Sequence, residues 1–458
     1  MRIRKYDVDY GRRALLQKAA LGAGAGVLAP LWPMIANGDM SKAYPDELTS
    51  VEMYTKGKVK TGDVLTAANV DAVKDLLDPI TFKQVKEMGR KINIVPTVQD
   101  PSLLFPMAFL EASLRNKGKA KLNTDGNIVE AGSGNPWLGG LPFTDAKDGL
   151  EAIANLTLSW GRHDYSQYAM RQWDIAPDGG LAYQYDFEWV ELQVQARIDN
   201  TVFQGKKDLL RLFSVWFTSP QDVAGTSFLT NWYYDQRKFP DLYGYLPAFK
   251  RVRQFPTNQR FEPLLPGITW FLSDAWGAGD PMLTWGNYKI VGRQPMLGAV
   301  SQNWHGSKPN WEMGVHGGPK GQTFWDTNFS MCPECIVIEA EPTGYPRAPV
   351  GKKRVWIDVR NQQFVTYISF DRRGEIWKSV EPGCSRMQDG SAVVKDPKGN
   401  AEWSWTHFHI HDIQANRMSR IVHAPAVAGG YKSQFSDNGV DVYNKYLTNQ
   451  AITRLGQA

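Results

Sequence analysis

The spacing of apolar residues changes character along this chain. Residues 63–91 read as helical: Thr66-Ala67-Ala68-Asn69 can start a helix, and Val70, Val73, Leu76 and Leu77 recur at three- and four-residue steps. Pro79 interrupts, and Phe82, Val85 and Met88 carry a second amphipathic stretch to Gly89, which predicts a packed helix pair. Residues 92–95 form a short apolar run, 107–114 predict a helix, and 145–160 predict a longer one through Leu150, Ile153, Ala154, Leu156 and Leu158. Between them, residues 132–143 are a turn-dense loop without the lysine and hydroxyl residue of a phosphate loop.

From about residue 181 to 423 the period becomes two. Tyr183, Tyr185, Phe187 and Trp189 share one face, and the apolar set then moves to the other parity with Val190, Leu192, Val194, Ala196 and Ile198. Such a switch predicts a bulge or a face exchange in a strand bending round a half-barrel. Further strands are expected at 209–217, 227–234, 242–255, 288–291, 336–341, 354–360, 363–371, 391–395 and 403–413. Strands in succession without helices between them predict an antiparallel meander. A last helix is expected over 440–447.

Composition narrows the class. The 458 residues are 42% hydrophobic and 22% charged, enough for one large core or two modest ones and unlike a disordered chain. The net charge of +5 is concentrated at the start, in Arg2, Arg4, Lys5, Arg12, Arg13 and Lys18. The body is near neutral, which argues against general nucleic-acid binding. The 17 Trp, 18 Tyr and 20 Phe suit strands that line a wide apolar interior.

The basic start is followed by a short Ala/Gly/Leu/Val run at 19–29 and by Pro30 and Pro33, the layout of an export signal. The adjacent Arg12-Arg13, with Leu15, Leu16 and Lys18, resembles a twin-arginine signal; an ordinary Sec leader or a buried N-terminal helix is the alternative. The run is too short and Gly-rich for a span of about 20 apolar residues. Cleavage is expected between Ala36 and Ala43, and a periplasmic location follows.

Candidate chemistry is sparse. Cys332-Pro333-Glu334-Cys335 leads into a strand, so it reads as a structural or incidental pair rather than a redox motif, with Cys384 left over. His407, His409 and His411 face one way on a strand, and neighbours two residues apart can share zinc or copper. His407 and His411 lie roughly 13 Å apart on a straight strand, so a complete site would need His305, His316 or His423. A periplasmic metal-dependent enzyme or redox protein is therefore the second reading. No nucleophile elbow, zinc-protease helix or Walker loop is present, and the preferred expectation is a protein that is not an enzyme and uses no cofactor. Its ligand-binding candidates are Tyr183, Tyr185, Phe187, Trp189, Val215, Phe217, Trp232 and Tyr234 as an apolar wall, or equally as ordinary core. Arg251 and Arg253, beside Lys250 and Arg260, are rim candidates for an anionic head, or a solvated face. A third reading is a structural partner of an outer-membrane transporter with no ligand.

Residues 217–229, Phe-Thr-Ser-Pro-Gln-Asp-Val-Ala-Gly-Thr-Ser-Phe-Leu, resemble the signature of outer-membrane lipoprotein-sorting proteins of the LolA/LolB-like superfamily. Residues 246–253 resemble their next hairpin, and 336–341, 353–358 and 364–377 their late hairpins. Asn69–Leu77 and the Gly-Asn-Pro-Trp…Gly-Gly-x-Pro-Phe loop at 134–143 resemble a larger family of unknown function related to those proteins. The resemblance covers about 63–425. It implies an α+β fold with an unclosed antiparallel β half-barrel (LolA-like) wrapped over helices, and a cavity for an acyl chain or similar lipid. It also implies an envelope lipid-transport role beside an outer-membrane barrel and an RND-type transporter. The expected division is 1–43 export signal and linker, 44–150 N-terminal helical/loop region packing on the sheet, 151–430 half-barrel, and 431–458 C-terminal tail.

Overall fold

The computed structural model describes residues 31–159, 162–274, 280–300, 314–389 and 392–457. The core of the expected export signal, residues 1–30, lies outside them, as does His305. Of residues 31–43, within the expected signal and linker, Leu31, Trp32, Ile35 and Met40 are buried in the main core, and Trp32 Nε1 donates to Thr144 O at 2.6 Å. Among the described residues no helix is long and apolar enough to cross a membrane.

The strands, in chain order, are β1 (Val64–Leu65), β2 (Ile92–Ile94), β3 (Ala120–Leu122), β4 (Ile128–Glu130), β5 (Tyr165–Ile175), β6 (Leu181–Gln193) and β7 (Leu209–Ser219). There follow β8 (Ser227–Tyr233), β9 (Asp241–Leu246), β10 (Arg251–Phe255), β11 (Gly286–Ala299), β12 (Val315–His316), β13 (Phe324–Trp325) and β14 (Thr327–Glu341). The last are β15 (Val350–Asp358), β16 (Phe364–Asp371), β17 (Ile376–Arg386), β18 (Gln388–Asp389), β19 (Ala392–Val393), β20 (Trp403–Asp412) and β21 (Arg417–His423). Fifteen of them form one sheet in the order β1-β2-β14-β15-β16-β17-β20-β21-β5-β6-β7-β8-β9-β10, with β11 added against β14. Pairing is antiparallel throughout except between β2 and β14. Among the described residues the path ends at β1 and β10 without joining, so the fold is α+β with an unclosed, mainly antiparallel sheet.

One face of this sheet holds the helices Met107–Asn116 and Gly149–Ser159. Asp148 starts the second by accepting from the backbone N–H groups of Leu150 and Glu151, both at 2.9 Å. Phe109, Leu110, Ile153, Leu156 and Leu158 meet Phe213, Val215, Ile338, Val355 and Tyr367 in the main core. The loop between the two helices needs glycine where it approaches other backbone. A Cβ on Gly139 (φ +101°) would stand 2.0 Å from Arg197 O, and one on Gly140 (φ +75°) 2.4 Å from Ser113 N.

The opposite face is covered too, which corrects the first of three expectations. The C-terminal segment forms the helices Val442–Tyr446 and Asn449–Leu455, whose Val442, Tyr446 and Ile452 pack on Val190, Leu192, Val194, Leu212 and Trp216. β6 keeps an unbroken register with β5 from Tyr165↔Leu192 to Asp174↔Tyr183. The change of apolar parity is therefore not a bulge in β6; both of its faces are buried, each by a different partner. The second correction concerns the first predicted helix, which is a 3-10 segment, Val70–Leu76, with Val73 out of helical geometry. Asn69 accepts from Thr66 N at 2.8 Å and donates to Val64 O at 3.0 Å, a local turn that competes with an α-helical start. Likewise the long strand expected at 242–255 is two strands, β9 and β10, split by a turn at Pro247–Phe249.

The N-terminal region is locked to the sheet by one buried ion pair. Arg90 Nη1 and Nη2 reach both oxygens of Glu381 on β17 at 2.8 and 2.6 Å, and Arg90 Nη1 also donates to Gln84 Oε1 at 2.6 Å. Burial pushes the Glu381 carboxyl up, but Arg90 outweighs it and holds the group well below the usual carboxylate range. Leaving one partner alone in this dry setting costs about 3–5 kcal/mol. Glu381→Gln is accordingly expected to lower unfolding stability by about 3 kcal/mol in urea titration, whereas the double variant Arg90→Met/Glu381→Leu recovers most of it.

Candidate functional site

The face of the sheet that wraps the helices keeps one apolar cavity. It is floored by β17, β20, β21, β5 and β6 and roofed by a strap, residues 262–274, that runs in from the end of β10. Phe408 and Ile410 of β20, Ile421 of β21, Tyr168 and Met170 of β5, Phe187 and Trp189 of β6 and Val380 of β17 supply the floor; Trp270 and Asp274 come from the strap and Trp405 from β20. The cavity measures about 60 Å³. That geometry is a slim slot.

The strap is held by a polar stripe inside the half-barrel. Ser419 Oγ donates to Asp174 Oδ1 at 2.5 Å, and Gln172 Nε2 to the same oxygen at 2.8 Å. Gln172 Oε1 accepts from Trp270 Nε1 at 2.9 Å, and Ser419 Oγ from Thr269 N at 2.9 Å. Burial pushes the Asp174 carboxyl up to about 7, against the hydrogen bonds from Ser419 and Gln172 that hold it down.

The sequence candidates fall in three places. Phe187 and Trp189 line the cavity, Trp189 stacking on Phe213 with ring centroids 5.0 Å apart. Tyr185, Phe217 and Val215 pack beside it in the core; Tyr185 donates to Pro266 O at 2.8 Å, and Tyr183, 42% exposed, stacks on Tyr185 at the rim. Trp232 and Tyr234 serve the solid core. The Trp232 ring lies between the guanidinium groups of Arg211 and Arg260, at 4.2 and 5.3 Å, and Tyr234 ties down the 134–143 loop by accepting from Trp137 N and donating to Ile128 O, both at 2.6 Å. Arg251 and Arg253 do not line the cavity; they are exposed on the edge strand β10, and Arg253 covers the Phe249 ring at 4.5 Å. Arg260 is buried in an ion pair with Asp280.

His407, His409 and His411 point away from the cavity and are buried. They sit under the Arg90–Glu381 pair and the β12–β13 ribbon. His411 Nδ1 is 2.9 Å from Gln84 Nε2, His409 Nε2 accepts from Trp325 N at 3.4 Å, and the His407 and His409 rings are 5.7 Å apart. His316 pairs with Asp326 at 3.0 Å and His423 with Ser433 Oγ at 2.8 Å, so neither completes a ligand set with the strand. Among the described residues no three His, Cys, Asp or Glu side chains could hold one ion. Cys332, Cys335 and Cys384 are free thiols, the first two buried on β14; burial, with Cys332 adding to it, pushes the Cys335 thiol well up.

The cavity residues that sequence reasoning missed had one usable signal. Phe408 and Ile410 alternate with the three histidines, so the pattern that singled out the imidazoles carried the apolar wall on its other phase. Trp270 and Asp274 sit in irregular backbone and had none.

Burial lowers the histidines to about 4, 3 and 4 in chain order. Their folded values lie below the ordinary value near 6.5, so the stability they confer is full above that pH and is lost as the pH falls toward 4. Asp174 and Glu191, raised by burial to about 7, have the opposite sign, losing stability as the pH climbs toward 7. The direct check is imidazole NMR: at pH 5 the C2 protons of these three histidines should keep neutral-form shifts.

A search of curated proteins finds no match. Among solved structures, a domain described as an outer-membrane lipoprotein-sorting protein from Vibrio parahaemolyticus is similar at 15% identity and TM-score 0.41, covering 66% of this chain and all (100%) of its own. A DUF1329 family protein from Desulfovibrio piger is similar at 14% identity and TM-score 0.42, covering 64% of this chain and 95% of its own. A LolA superfamily protein from Nitrosomonas europaea is similar at 13% identity and TM-score 0.35, with coverage of 64% and 95%. Residues 64–453 match the family described as "Protein of unknown function (DUF1329)", and across that span, which takes in every strand of the sheet and the helix Val442–Tyr446, the chain belongs to this family.

Proposed function

We propose that this chain is a binding or transfer protein for a hydrophobic ligand, a lipid or acyl chain, serving the cell envelope from the periplasm. Its cavity is the observation that carries the reading: ten aromatic or aliphatic side chains surround a slot roofed by a strap rather than by the sheet itself. The cavity as it stands is about 60 Å³, below the roughly 300–1,000 Å³ of small-molecule sites, so a guest chain is admitted only as the strap moves. Each methylene transferred from water into such a wall gains about 0.8 kcal/mol, so a chain of about 16 carbons gathers about 13 kcal/mol before entropy costs. Binding of this kind needs no catalytic group. A membrane transporter, of the RND type beside an outer-membrane barrel, is the partner we propose.

The strap supports the reading mechanically. It is fixed by side-chain hydrogen bonds, to Gln172 and Ser419 and from Tyr185, Lys353, Tyr367 and Lys378, so entry requires release of such bonds and not the separation of paired strands. Phe187, Trp189, Phe408 and Ile410 would touch the guest chain along its length.

Native mass spectrometry of the protein from its own host, with solvent extraction of the same sample, is expected to reveal a co-purifying lipid. Val380→Phe narrows the slot at a stability cost of about 1–3 kcal/mol, and is expected to abolish the lipid while the circular dichroism spectrum is kept. A wild-type protein free of lipid that also fails to bind added long-chain hydrocarbons would sink the proposal.

A further inference from the structure

Asp274 is the one charged residue among those lining the cavity. It is 2% exposed. Its Oδ2 accepts from Phe271 N at 3.0 Å, within its own turn of the strap, and lies 3.8 Å from Lys378 Nζ. Its Oδ1 is fully buried and accepts no hydrogen bond, its ion pair with Lys353 Nζ at 3.3 Å aside. A buried carboxylate oxygen left in this condition beside an apolar void costs free energy that a guest can recover.

The surrounding cations do not face the void. Lys353 donates to Ser273 O and lies 4.9 Å from the Trp285 ring and 5.0 Å from that of Tyr367. Lys378 donates to Thr269 O at 2.7 Å and lies 3.2 Å from the centroid of Phe271. Both ammonium groups are engaged with the strap, and neither residue lines the cavity. The polar character the cavity presents at this end is that of an acceptor.

Asp274 also marks an end of the slot. Its backbone carbonyl accepts from Tyr367 on β16, and its side chain pairs with residues of β15 and β17, whereas Tyr168 and Trp189 lie across β20 and β21 on β5 and β6. From β17 to β6 the sheet path is four strand spacings, at most roughly 19 Å. A chain lying across the floor would place its head at Asp274 and its tail toward β6.

Resting on the lipid-binding reading above, we infer that the ligand is a long-chain amphiphile whose head donates a hydrogen bond to Asp274: a hydroxyl, an amide N–H or an ammonium group, and not a free carboxylate. An ionised acid at the same place would bring a second anion to a carboxylate that Lys353 and Lys378, at 3.3 and 3.8 Å, already balance, and neither ammonium group lines the void to pair with it. A neutral donor satisfies the orphaned oxygen, and a hydrogen bond to a charged group is worth about 10-fold or more in affinity.

The experiment is a comparison of hexadecan-1-ol, hexadecane and hexadecanoate, delivered from cyclodextrin to the full chain at pH 8 and followed by tryptophan fluorescence, since Trp189, Trp270 and Trp405 line the slot. The alcohol is expected to bind about 10-fold or more tightly than either competitor. In Asp274→Asn its advantage over hexadecane should shrink to within about 3-fold. Hexadecanoate binding tightest, or the alcohol binding no better than the alkane to the wild-type protein, overturns the inference while leaving a lipid carrier in place. Failure of all three to bind removes the carrier reading and this inference with it.

Discussion

Register on β20 is the constraint on which the rest of the molecule depends. Phe408 and Ile410 face the slot, while His407, His409 and His411 face the layer built on Arg90 and Glu381. A one-residue slip would exchange these sets, driving imidazoles into a hydrocarbon wall and rings into an ion pair. The pairing of β20 with both β17 and β21 holds that choice from two sides. The ion pair thus does more than attach the N-terminal region: it makes the outward phase of the central strands polar, and so keeps the inward phase free to be apolar.

Much of the element order was legible in the pattern of residues. β7, β8, β15, β16 and β20 were each anticipated within a few residues, because their apolar runs are bounded by turn residues such as those at 358–362 and 372–374. β5, β17 and β21 were not. Their polar residues look like loop residues in the sequence but are buried in pairs: Gln167 with Glu188 at 2.9 Å, Arg171 with Asp186 at 2.8 Å, Glu381 with Arg90. Periodicity detects a strand by contrast between its faces, and these strands have little contrast to offer. The openness of the sheet was not legible from periodicity at all; it came with the family resemblance.

The cavity was harder still to anticipate. Large aromatic residues mark a buried face, yet burial serves several ends. Trp232 separates two guanidinium groups, Tyr234 pins a loop, and only Phe187 and Trp189 of the expected wall border the void. Which rings enclose space and which fill it depends on where the strap runs, and no local pattern in 262–274 announces that path.

The order of strands in the sheet bears on how the molecule comes to exist. β5 sits between β6, which follows it directly, and β21, so that Met170 stands opposite His423; β2 likewise waits for β14, pairing Ile92 with Thr327. During synthesis, then, β5 through β10 emerge as a meander whose inner margin has no neighbour until nearly the whole polypeptide has left the ribosome. Such distant pairings are slow to form, and a chain stopped short of residue 423 would display a bare margin beside an oily trough.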